Sequence, residues 1–194
     1  MSVAWIGRGL YYAALIAIVA ALTHFAALLT IPAVAERDAF ARVAALGPAF
    51  KTVALPAVTA KAREFPYSDP AVAAAVCVYD LAGGPVRARL NLGPAGFASL
   101  SFHSRRGVAY YALTDRAANK GRMEALIVTP EQLRTLVARD DEDNPTDDLR
   151  IVSPTPQGFV MARVLTRSPD DEPAAAEQAA AMSCGLEPIT EAEK

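Results

Sequence analysis

The sequence predicts an α+β protein, with a single N-terminal transmembrane helix followed by a mainly antiparallel β domain with short flanking helices. Three observations lead there. Residues 10–31 run for 22 positions without a formal charge. Residues 86–92 alternate apolar and polar side chains, the period of a strand with one buried face. The string TPEQLRTLVARDD carries the start signals of a helix between runs that read as strands.

As a helix, the uncharged run extends about 33 Å at about 1.5 Å per residue, close to the hydrocarbon thickness of a bilayer. Trp5, Tyr11 and Tyr12 stand near one end, where amphipathic rings favour the interface. Residues 1–35 are read as an uncleaved membrane anchor. The alternative is a signal peptide cut after Ala35, since Ala33-Val34-Ala35 has the small-x-small form of a cleavage site and Arg8 precedes the run. The run exceeds the length of an ordinary signal core, which favours the anchor. An apolar N-terminal segment behind a basic leader commonly directs export, so the rest of the chain is expected in the periplasm, with the protein single-pass in the cytoplasmic membrane. The positive charges beyond the span, Arg37, Arg42 and Lys51, pull slightly the other way.

Residues 36–66 are read as a short helix and an extended linker. Phe40, Val43, Ala44 and Leu46 recur at helical spacing, and Gly47-Pro48 ends the run. Residues 67–185 form the extracytoplasmic α+β domain and residues 186–194 a tail. At its start, Asp69 and Pro70 suggest the cap and first residue of a helix of about two turns, feeding a strand near residues 76–81. Strands follow over PVRARLNL, FASLSFHS, GVAYYALTD and RMEALIVT, giving a meander of about five antiparallel strands. Thr129, Pro130 and Gln132 form a capping box, with Leu133, Leu136 and Val137 as the inner face of the helix. DDEDNPTDD reads as a solvated acidic loop. Two further strands, LRIVS and GFVMARVLT, precede a last helix over EPAAAEQAAAMSCG, ended by Gly185.

The string PYSDPAVAAAVCVYDLAGGPVRARL, continued by SFHSRRGVAYYALTDRAA, resembles a bacterial family of uncharacterised membrane proteins, the domain of unknown function twelve fifty-four. Tyr67 and Ser68 match its tyrosine-serine motif. Asp80, Leu81, Gly84, Pro85 and Val86 match the string that introduces its β meander. The resemblance covers residues 63–130. It implies a mostly β domain outside the cytoplasmic membrane and implies no activity.

The candidate site is the polar cluster His103, Ser104, Arg105, Arg106 and Gly107 between two strands. Paired guanidiniums can grip a carboxylate or phosphate, so Arg105 and Arg106, with Tyr67, are the candidate anion-binding residues. The competing reading is a solvated hairpin tip. No catalytic residue is assigned: Ser104, His103 and Asp115 are the types of a triad, but adjacent strand residues point to opposite faces. No metal site or cofactor is assigned, because His24 lies within the span and His103 has no ligand cluster around it. Cys77 and Cys184 are the two cysteines of the chain, and in an oxidising compartment they are expected to form a disulfide. The small formal net charge of −2 argues against nucleic acid as a partner. The expected partners are the lipid bilayer and another membrane or envelope protein. These readings describe a membrane-anchored extracytoplasmic accessory or binding protein of unknown ligand. The alternative is an envelope enzyme acting on a small anionic substrate.

Overall fold

The computed structural model describes residues 3–34, 38–58, 65, 68–93, 96–140 and 148–187. The chain divides into two units, Met1–Arg37 and Asp38–Lys194. The first holds helix α1, Val3–Val34. Within it, Trp5–Ile31 is long and apolar enough to cross a membrane, with a mean hydropathy of 2.3 and no residue buried. A helix that is apolar all round has no polar side to turn to water, which is the composition a bilayer accepts. Thr23 and Thr30 return their hydroxyls to carbonyls one turn back, at Val19 and Ala26, so that these two donors are paired on the apolar surface.

The second unit is two facing sheets. In chain order its elements are α2 (Ala39–Ala44), β1 (Thr52–Ala54), β2 (Val72–Asp80), β3 (Val86–Asn91), β4 (Ala98–Ser104) and β5 (Ala109–Thr114). Then come β6 (Arg122–Val128), α3 (Pro130–Val137), β7 (Arg150–Val152), β8 (Gln157–Leu165), α4 (Glu172–Ala180) and β9 (Ser183–Leu186). One sheet has the order β1-β2-β8-β4-β5 and is antiparallel throughout. The other has the order β7-β6-β3-β9, with β7 parallel to β6. The alternating residues Ala75, Cys77 and Tyr79 of β2, Leu100 and Phe102 of β4, and Val160, Ala162 and Val164 of β8 face inward. They meet Val86, Ala88 and Leu90 of β3 and Met123, Ala125 and Ile127 of β6 in one core. Every one of these side chains is withdrawn from water, and that burial is the main term holding the sheets together.

Three expectations are corrected. The helix expected at Pro70 is absent, and β2 is continuous from Val72. Asp69 does accept a backbone N–H, from Ala71 at 2.9 Å, but its carbonyl takes Val72 N–H and the segment turns into the sheet. The same side-chain chemistry starts a helix or a turn, and here β2 is claimed by β1 on one side and β8 on the other. The five-stranded meander is also absent. β3 pairs with neither β2 nor β4 but crosses to the second sheet, because each apolar face must be covered by another. The last helix ends at Ala180, so Cys184 lies in β9, opposite Ala88 of β3.

The crossing from one sheet to the other is made by the string that carries the family resemblance. Asp80 accepts Ala82 N–H at 2.9 Å and Gln157 Nε2–H at 2.8 Å, fixing a tight helical turn at Leu81–Gly83. Leu81 is buried, with its N–H on Pro156 and its carbonyl on Gln132 of α3. Gly84 has φ 136°, which an L side chain rarely adopts, and Val86 then enters the core. α3 has the expected capping box between Thr129 and Gln132, but Val137 is 57% exposed, so the inner face is only half-covered.

Candidate functional site

The hairpin that joins β4 and β5 closes as expected of a turn. Ser104 N–H donates to Val108, Gly107 N–H donates to Ser104, and Gly107 has φ 77°. Arg105 is not presented to solvent as half of a pair. Its Nη1 donates to Asp38 Oδ2 at 2.7 Å, and its guanidinium lies 4.3 Å from the centre of the Phe40 ring. Asp38 in turn caps α2 by accepting Ala41 N–H at 2.7 Å. Arg105 therefore fastens α2 to the hairpin, a contact across 67 residues of sequence. Arg106 is exposed at the tip. Tyr67 lies outside the described residues. The described structure does not assemble Arg105 and Arg106 into a two-pronged grip.

His103 points to the outer face of the five-stranded sheet, stacked flat on Phe159 at 4.5 Å. Its Nδ1 is 3.3 Å from the Gly107 carbonyl, an acceptor, so Nδ1 carries the proton. Nε2, 3.0 Å from Ser101 Oγ, then accepts the serine proton. Burial lowers the His103 pKa, which keeps the ring neutral. Ser104 is buried on a different face of the strand, and no triad forms.

Ser101 also takes a hydrogen bond from Arg163 Nη1, at 2.9 Å. Arg163 stands on β8 opposite Ser99, on the same outer face as Phe159 and Met161. It is half-buried, and burial lowers its pKa. No ion pair among the described residues includes it. Arg163 is thus a guanidinium drawn partly out of water with no carboxylate beside it among the described residues. It lines a cleft of about 950 Å³ bounded by residues 55–58, 68–74 and 166–169 and by the start of α4. Thr166 Oγ, buried in the same wall, has no hydrogen-bond partner. Ser68, of the tyrosine-serine motif, also lines it. A cation in a concavity is chemistry that can meet an anion.

Arg163 was not among the residues singled out from sequence. The signal is slight: in GFVMARVL it takes the place where Phe159 and Met161 set an apolar face. The lack of a partner, which makes it notable, is visible only in three dimensions.

The two cysteines are joined. Cys77 in β2 and Cys184 in β9 form a disulfide, with Cα atoms 6.4 Å apart, and it links the two sheets. The four-stranded sheet carries a separate charge network. Arg87 reaches Asp148 at 2.7 Å, Glu124 at 2.8 Å and Glu187 at 3.0 Å. Hydrogen bonds donated to Asp148, ahead of those to Glu187 and Glu124, hold the Arg87 pKa well above the usual arginine range. No group of metal-ligating side chains occurs among the described residues. The acidic run between Asp140 and Asp148 falls outside them, but its two ends are ion-paired, Asp148 with Arg87 and Asp140 with Arg150.

A two-sheet α+β domain with a long apolar helix before it is the class that fold and site define. A family model described as a protein of unknown function (DUF1254) matches residues 50–185, and the chain belongs to that family. No curated protein matches the sequence. Among solved structures, the chain is similar to the VPA0106 protein of Vibrio parahaemolyticus, with 11% identity and a TM-score of 0.48. That match covers 76% of this chain and 35% of the other. It is also similar to an uncharacterized protein from Burkholderia cenocepacia, with 10% identity, a TM-score of 0.46, and coverage of 75% and 39%. The chain thus spans less than two fifths of the length of either structure.

Proposed function

We propose that this protein is a membrane-anchored binding protein that holds a small organic anion in the cleft at Arg163. The observation that carries this reading is the half-buried guanidinium with no carboxylate partner among the described residues. A desolvated cation left unpaired is costly, and an anionic ligand supplies the missing charge. The reading places the domain in the periplasm, held by α1 in the cytoplasmic membrane. The disulfide supports this placement, because such bonds persist in oxidising compartments. It gives the protein a binding role rather than a catalytic one: both ring nitrogens of His103, which shares Ser101 with Arg163, are engaged.

The test is a screen of organic acids against the full-length protein in a zwitterionic detergent, read as a rise in melting temperature. Arg163→Gln is expected to abolish the rise and Arg106→Ala to keep it. A rise that survives Arg163→Gln and is lost with Arg106→Ala would return the site to the hairpin. Carbonate extraction and N-terminal sequencing test the anchor: a membrane-retained chain with an intact N-terminus is expected, and a soluble form beginning at Glu36 refutes it.

A further inference from the structure

The walls of the Arg163 cleft are apolar for most of their extent, through Leu55, Val58, Phe65, Val72, Met161 and Ala176. Its acidic lining is Asp69 and Glu172. Its cationic lining is Arg163 and Arg167, and Arg167 already has a partner. A dianion entering would meet the two carboxylates and find one guanidinium with no carboxylate beside it among the described residues. A head with a single negative charge matches Arg163 and leaves the remaining volume to be filled by carbon. The cleft's 950 Å³ lies at the upper end of the range for small-molecule sites, far more than a short acid occupies.

Resting on the anion reading above, we infer that the occupant is an amphiphilic carboxylate, a singly charged head carrying an unbranched apolar chain. The head binds Arg163, and the chain lies along Val72, Met161 and Ala176. Ser101, held between Arg163 and His103, fixes the guanidinium against the sheet, so the site meets the head already oriented.

The experiment is isothermal titration of the full-length protein in a zwitterionic detergent with acetate, butyrate, hexanoate and octanoate, and with octyl phosphate at pH 8, where that head is a dianion. Arg163→Gln in the same detergent corrects for partition into micelles. Affinity is expected to rise about fourfold for each added methylene, the value of burying one such group. Octanoate is expected to bind more tightly than octyl phosphate. Ala176→Trp, which narrows the cleft without touching Arg163, is expected to weaken octanoate more than butyrate. Equal affinity along the series, or tighter binding of octyl phosphate, overturns the amphiphile and leaves an anion site standing. Binding of none of these anions overturns both readings.

Discussion

Tyr79 of β2 and Gly158 of β8 face each other in the ladder, and the glycine has no side chain because the tyrosine ring and hydroxyl occupy the space where one would stand. A Cβ at position 158 would also strike the His103 carbonyl. The Tyr79 hydroxyl is held where it is by Tyr110 at 2.9 Å and Ser153 at 3.0 Å, and Ser153 donates onward to the Thr155 carbonyl at 2.7 Å. Burial raises the pKa of both tyrosines, so the cluster is a set of neutral hydroxyls.

Gly158→Ala should therefore destabilise the domain by about 3 kcal/mol, the upper range for overpacking a filled core. Adding Tyr79→Phe should recover only part of that, since the His103 carbonyl still stands in the way. Urea denaturation of the single and double variants measures both, and an unchanged midpoint for Gly158→Ala would contradict the packing described here.

The Cys77–Cys184 bond closes a loop of 107 residues in sequence separation. The chain-entropy model assigns about 4–5 kcal/mol to a loop that long. Replacing both cysteines by alanine should lower the melting temperature of the β domain, and a reducing agent should do so in the unaltered protein once it opens. Thermal scans with and without reductant, alongside mass spectrometry without reduction, test this.

Around Arg87 the sign of the pH effect follows from the carboxylates. The Asp148 pKa is lowered, chiefly by its hydrogen bond from Arg87. Burial works to raise that of Glu124, but hydrogen bonds from Arg89 and Arg87 more than offset it. Both groups are held below their unfolded values, near 4. Their stabilising effect is complete above that pH and lost as pH falls through the lower, folded values. Arg87→Met should cost about 2 kcal/mol at pH 7, less than a fully buried pair because the carboxylates are part-exposed. It should also move acid unfolding to higher pH. An acid midpoint that stays in place would rule the network out as its cause.

His103 acts over a different window. Burial, the larger effect, lowers its pKa below the unfolded value of about 6.5. The unfolded chain thus takes up a proton first, and stability falls as pH drops from about 7 towards 5. His103→Gln should flatten the stability of the β domain across that interval. Denaturation midpoints at pH 5, 6, 7 and 8 decide it.

How much of this was legible in sequence depends on how local the cause is. α1 was legible because a bilayer reads one uninterrupted property. α3 was legible because Thr129 and Gln132 satisfy each other within one turn. β3 was legible because Val86, Ala88 and Leu90 alternate with Arg87, Arg89 and Asn91. The first half of β2 was not, because Asp69-Pro70 followed by alanines suits a helix until β8 supplies nine paired residues. β9 was not, because Ser-Cys-Gly-Leu carries no strand signal, and its place is set by β3 and by the bond at Cys184. The surroundings of the candidate anion-binding residues were hidden for a related reason. Arg105 was read with its neighbour Arg106, but its true partner is Asp38, and Arg163 was passed over because nothing in its own segment shows what it lacks.

The covalent tie between β2 and β9 also sets how the protein would respond to a pull. Tension applied between the two ends of the described domain, at Asp38 and Glu187, would run through β1 and the N-terminal half of β2 to Cys77, across the sulfurs, and out at Cys184. Strands β3 to β8 lie off that line of force. Roughly 350 Å of contour length is thereby kept from extending. The segment between the two cysteines, including the strand that bears Arg163, can then be loaded only through its pairing with neighbouring strands and cannot be drawn out along its own backbone.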